Sequence, residues 1–147
     1  MPRRPAWPPL IYQFGPLRTN AQDAVSDLGS CRDLATARFR LQSIAQRRWQ
    51  QADQVAALDV SDIPDGAELV AALRKAWIAS ALSDESYADV AANLESGCAS
   101  GSMNVNPNYQ EADTASRLAS DAKTAAAQLW NARADALGQL PISASDL

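Results

Sequence analysis

The sequence contains no histidine. That removes the commonest general base and the commonest metal ligand together. No Ser-His-Asp or Cys-His catalytic set can be assembled within the chain, and no enzymatic activity is expected. There are only two cysteines, Cys31 and Cys98. Their wide spacing is unlike any zinc motif, and two thiolates without histidine cannot complete a tetrahedral site. No metal and no cofactor are therefore expected, and no Gly-rich phosphate loop, calcium-loop spacing or GxSxG element occurs. No segment approaches the roughly 20 apolar residues of a membrane helix, so the chain as given is not expected to insert into a bilayer. The Arg3-Arg4 pair has no apolar stretch behind it and does not make a signal peptide. A strong positive charge is also missing: the net charge is −4, which offers no overall field to nucleic acid. Arg32, Arg38, Arg40, Arg47 and Arg48 form a basic cluster. At about 100° per residue Arg38 points away from Arg40 and Arg47, so there is no continuous basic stripe. Solvated helix faces account for these residues, and for the acidic group Asp84, Glu85 and Asp89.

What is present is a globular composition, 47% hydrophobic and 20% charged over 147 residues, the size of one domain. Pro2, Pro5, Pro8, Pro9 and Pro16 make residues 1–18 an extended, linker-like segment. A helical domain is expected over 19–141, with 142–147 as a tail. Thr19 and Gln22 suit a capping box for a short first helix, broken at Gly29-Ser30. From near Cys31, the residues Leu34, Ala37, Leu41, Ile44, Ala45, Trp49, Ala52, Val55 and Ala56 recur at threes and fours, an amphipathic helix ending near Leu58. Asp59 to Gly66 is a turn, and Asp65 with Glu68 marks the start of a second long helix. Its apolar line runs Leu69, Leu73, Ala76, Ser80, Tyr87, Ala91, Leu94, Cys98 and crosses Ser83-Asp84, which predicts one continuous helix over 67–96, with two shorter helices split at Ser83 as the alternative. Gly97 is the expected left-handed stop. After an Asn-rich loop, Asn106-Pro107 opens a third helix that follows Ala112, Ala115, Ala119, Ala122, Ala126 and Leu129 to a stop at Gly138.

Segments of about 30 residues span about 45 Å, and the short connections force antiparallel neighbours. The expected fold is all-α: an antiparallel three-helix bundle with a short fourth helix at the amino terminus. A coiled-coil oligomer is the alternative. This layout brings Cys31 and Cys98 to one end of the bundle, where a disulfide is possible and would be worth about 4 kcal/mol by loop closure. A disulfide implies an oxidising compartment, outside the cytoplasm; two buried thiols are the other reading. Trp49, Trp77 and Trp130 are expected at one level near the 59–66 turn, as a packed aromatic layer or as the walls of a small apolar ligand pocket.

Ile63-Pro-Asp-Gly-Ala-Glu-Leu69, Ala76-Trp77-Ile-Ala-Ser80, Tyr87 and Cys98 carry a resemblance. So do Ala122-Lys123, Leu129-Trp130-Asn131 and Leu137-Gly138-Gln-Leu-Pro141. Together, over residues 58–141, they resemble uncharacterised extracytoplasmic all-helical domains of high-GC bacteria. In that pattern a proline follows Trp-Asn, where Ala132 stands here. The resemblance implies a helical bundle outside the cytoplasm and no known activity. The expectation is therefore a non-catalytic module that binds another protein at the cell envelope, with a tryptophan-lined sensor of small apolar ligands as the alternative.

Overall fold

The computed structural model describes residues 14–135 and 138–147. Among these, five α-helices and a 3-10 turn pack together and no strand occurs: α1 Phe14–Gly29, α2 Leu34–Ala56, α3 Gly66–Leu94, α4 Ser102–Val105, α5 Tyr109–Asn131 and the turn Ala144–Asp146. The protein is all-α. The long helix α3 lies at the centre and packs along both α2 and α5, while α1 rests chiefly on α2. Helices α2 and α3 run antiparallel: Arg38 pairs with Glu95 beside the end of α3 and Arg48 with Asp84, so moving along α2 the partner moves back along α3.

Most of the extended segment expected over 1–18 lies outside the described residues. The part that is described is helical, because α1 begins at Phe14 and not at Thr19. Pro16 is tolerated there since first-turn N–H groups have no partner within a helix. The break after α1 is real, but the left-handed residue is Cys31, at φ 53, and not a glycine. Arg32 N–H donates to the Asp27 carbonyl at 2.9 Å and Cys31 N–H to that of Leu28 at 3.3 Å, the two bonds of a Schellman stop. Gly97 is not left-handed. Its N–H closes a tight turn onto the Leu94 carbonyl, and Gly101 and Gly138 take the positive φ values.

Helix α3 is continuous through Ser83-Asp84, as its apolar line predicts. Helix α5 ends at Asn131, earlier than the expected stop at Gly138, because its last side chains hold the segment that follows. Trp130 Nε1 donates to the Leu140 carbonyl at 3.0 Å. Asn131 donates to the Ile142 carbonyl at 2.8 Å and accepts from the Ile142 N–H at 2.7 Å. The side-chain amide thus pairs with a backbone that would otherwise be unsatisfied. The final residues are no loose tail: Ile142 and Leu147 are buried in the core.

The apolar interior falls into two clusters. One surrounds Leu69, Leu73, Trp77, Val55, Ala126 and Trp130 near the 59–66 turn. The other surrounds Leu28, Leu41, Tyr87, Val90 and Leu94, with Cys98 packed against it. The sulfurs of Cys31 and Cys98 lie at disulfide distance beside this second cluster, with Cα atoms 5.8 Å apart.

Candidate functional site

Between the clusters the interior turns polar. On α2 the buried stripe is Ala37, Leu41, Ile44, Ala45, Arg48, Gln51, Ala52 and Val55. Arg48 stands four residues from both Ile44 and Ala52, so helical spacing alone turns it inward. On α3, Asp84 stands four after Ser80 and three before Tyr87, within that helix's buried set. Each charge interrupts an apolar stripe at the level where the helices face each other. Arg48 is 2% exposed and Asp84 6%, and Arg48 Nε lies 3.0 Å from Asp84 Oδ2. Arg48 Nη1 also donates to the Leu147 carbonyl at 3.3 Å.

This pair lies at the wall of a cleft of about 380 Å³ between α1, α2, α3 and α5. Arg18 enters from α1 and Lys123 from α5, both half-buried, and Ser80, Ser83, Ser116, Ser120 and Thr124 add hydroxyls. Three cations thus face one buried carboxylate. Burial pushes the Asp84 carboxyl up to about 6, against the opposing pull of Arg48 and Lys123. Burial and the Arg48 and Arg18 charges hold the Lys123 ammonium down to about 7, with Asp84 only partly restoring it. The Arg48 guanidinium is lowered by burial as well, though Asp84 opposes the change. Ser80 Oγ is buried without a hydrogen-bond partner among the described residues, while Asp84 Oδ2 has only the Arg48 guanidinium beside it.

The tryptophans do not form one layer. Trp77 and Trp130 share the first cluster, both buried. Trp49 is outside it, half-buried, with its indole N–H on Glu85 Oε1 at 2.7 Å. Position 48 takes the inward place on α2, one residue and about 100° away. Neither Trp49, Trp77 nor Trp130 lines the polar cleft or the groove described next. In the sequence Arg48 sits among basic neighbours and Asp84 beside Glu85 and Asp89, so neither stands out by composition. Glu85 and Asp89 are indeed exposed; Asp84 is not. The usable signal was the gap that each residue fills in its own helix's apolar period.

A second concavity, of about 880 Å³, runs on a different face, between α3 and α5, and shares no residue with the first. Alanines form much of its floor, Val70 and Ile78 line it, and Arg74, Lys75 and Asp121 bring charge to it. Leu82 and Leu118, 46% and 60% exposed, stand along it. The other large exposed apolar residues, Phe39, Val105 and Leu140, do not adjoin this groove.

Among the described residues no helix is long and apolar enough to cross a membrane, and no group of three or more acidic or cysteine side chains is placed to hold a metal ion. Compared with protein families, with curated proteins and with solved structures, the chain matches none.

Proposed function

We propose that the chain is a non-catalytic binding module of the extracytoplasmic space, built as an antiparallel three-helix core with α1 against it, whose α3/α5 groove receives an amphipathic helix of a protein partner. The observation that carries this reading is the convergence of Leu82 and Leu118 on a concave apolar surface that nothing in the chain's described residues covers. Contiguous exposed apolar surface of this kind marks interaction sites in soluble proteins. The alanine floor lets a partner helix approach closely, since interaxial distance follows side-chain size at the contact. Val70, Ile78, Leu82 and Leu118 offer sockets for anchors spaced at threes and fours. Arg74 and Lys75 favour a partner with acidic residues at that end of its helix. The Cys31–Cys98 pair supports an oxidising compartment, and the likeness of residues 58–141 to extracytoplasmic helical domains agrees with it.

The reading is tested by selecting helical peptides from a displayed library against the intact oxidised chain, then mapping the bound state by NMR. Selected sequences should be amphipathic with an acidic flank and should shift the resonances of Val70, Ile78, Leu82 and Leu118. The single substitution Leu118→Asp should weaken binding by roughly 2 kcal/mol, the scale of an interface anchor. Peptides whose binding is unchanged by Leu118→Asp, or whose footprint avoids the groove, would overturn the assignment.

A further inference from the structure

The cleft around the buried Arg48–Asp84 pair is a different kind of surface from the groove, and its chemistry asks for something else. Arg18, Arg48 and Lys123 converge on it, and Asp84 is the one carboxylate among its lining residues. This surplus of positive charge sits in a chain whose net charge is −4. It therefore arises from local placement and not from bulk composition. The cations sense one another: Arg18 and Arg48 both disfavour the charged form of Lys123. Among the described residues, neither Arg18 nor Lys123 has a carboxylate within ion-pair distance. Exposed surface charges of one sign disperse into water at little cost, but half-buried ones keep their repulsion. A bound anion would relieve it.

Two further observations point to a ligand. Ser80 Oγ, on a residue more than nine-tenths buried, lines this cleft with no hydrogen-bond partner among the described residues. Hydroxyls of Ser116, Ser120 and Thr124 border it from α5. A volume of about 380 Å³ lies within the range of small-molecule sites and exceeds what a bare inorganic ion needs.

We propose that this cleft binds a small hydroxylated phosphate monoester, its phosphate between Arg18, Arg48 and Lys123 and its hydroxyls against the Ser80, Ser116 and Ser120 side chains. Three cations facing one carboxylate leave a surplus that a dianionic phosphate balances better than a single carboxylate. Charge-assisted hydrogen bonds from guanidinium and ammonium to phosphate oxygens supply both affinity and orientation. Asp84 holds the Arg48 guanidinium and disfavours a second acidic group at the inner wall. The Ser80 hydroxyl, which has no partner among the described residues, is left to bond a ligand hydroxyl.

The test is isothermal titration of the intact oxidised chain with glycerol 3-phosphate, with inorganic phosphate and with succinate at about pH 7.5. Glycerol 3-phosphate should bind at one site per chain and more tightly than either other anion. Binding should take up protons, seen as a heat that varies with the ionisation enthalpy of the buffer, because the phosphate raises Lys123 from its depressed range. Lys123→Met and Arg18→Gln should each weaken binding by roughly ten- to hundred-fold, and Lys123→Arg should retain most of it. The far-ultraviolet circular dichroism of each variant should match the parent. Either variant alone suffices if the other fails to fold. The proposal falls if no phosphate ester binds, if succinate binds as tightly, or if a folded Lys123→Met or Arg18→Gln variant binds like the parent. Groove variants such as Leu118→Asp should leave this titration unchanged, which keeps its outcome separate from that of the partner site.

Discussion

Arg48 and Asp84 are each expensive to bury and tolerable only together. Removing one leaves the other as an isolated charge in a packed interior, which costs about 3 to 5 kcal/mol in comparable sites. Asp84→Ala is expected to fall in that range by urea denaturation, whereas the joint change Arg48→Met with Asp84→Leu should recover most of the loss. The pH dependence follows from the same residues. Asp84 has its carboxyl raised to about 6 in the folded state, so the folded chain binds this proton more tightly than the unfolded chain. Its contribution to stability therefore grows as pH falls from about 6 towards 4. Lys123, held at about 7, has the opposite slope: the unfolded chain keeps its proton longer, so stability grows as pH rises from about 7 towards 10. Stability should thus dip near pH 6 to 7, where both groups are charged, and Lys123→Met should abolish the rise on the alkaline side. A flat profile through this window would contradict the burial that shifts both groups. At this scale the sequence was only partly legible. Trp49 is the large apolar residue there, yet the buried stripe on α2 passes through its neighbour Arg48. A charged side chain on an apolar period reads as noise until the facing helix is seen to carry its counter-ion at the same level.

Helices were far more legible than their ends. The periodicity of α2 and α3 is carried by many residues at once, so a single polar interruption such as Ser83-Asp84 does not break it. Each terminus, by contrast, depends on one or two local bonds. Gly97 offered a left-handed stop that the chain did not use, while Cys31 adopted that conformation without being a glycine. The stop of α5 at Asn131 rests on contacts with residues ten and eleven positions later, which no local pattern encodes. Gly66 is where the backbone at a helix start leaves least room. A Cβ built there would lie 2.8 Å from both the Cβ and the carbonyl oxygen of Val60, and 3.1 Å from the Cβ of Ile63. Because backbone is among the obstacles, the turn before α3 would have to shift. Gly66→Ala is expected to destabilise the protein by about 1 to 3 kcal/mol, visible as a lower urea midpoint at an unchanged slope.

Over the whole molecule, the interior is two apolar halves separated by a charged layer, with the Cys31–Cys98 link at the end of one half. The link closes a long stretch of chain, and the loop-closure model assigns it about 4 kcal/mol. Cys31→Ser with Cys98→Ser should lower stability by about 2 to 4 kcal/mol without changing the helical spectrum, measured by urea denaturation under matched conditions. The antiparallel pairing of α2 with α3 made this contact foreseeable from sequence. The packing of Ile142 and Leu147 was not, since a short apolar segment after a helix carries no address. The covalent ring also sets what happens when the backbone is severed. Ser61 and Asp62, exposed in the connection between α2 and α3, lie inside it. A protease cutting there would produce two pieces, one bearing α1 and α2 and the other the remaining helices, that still migrate as one species. Only the addition of a reductant would let them part.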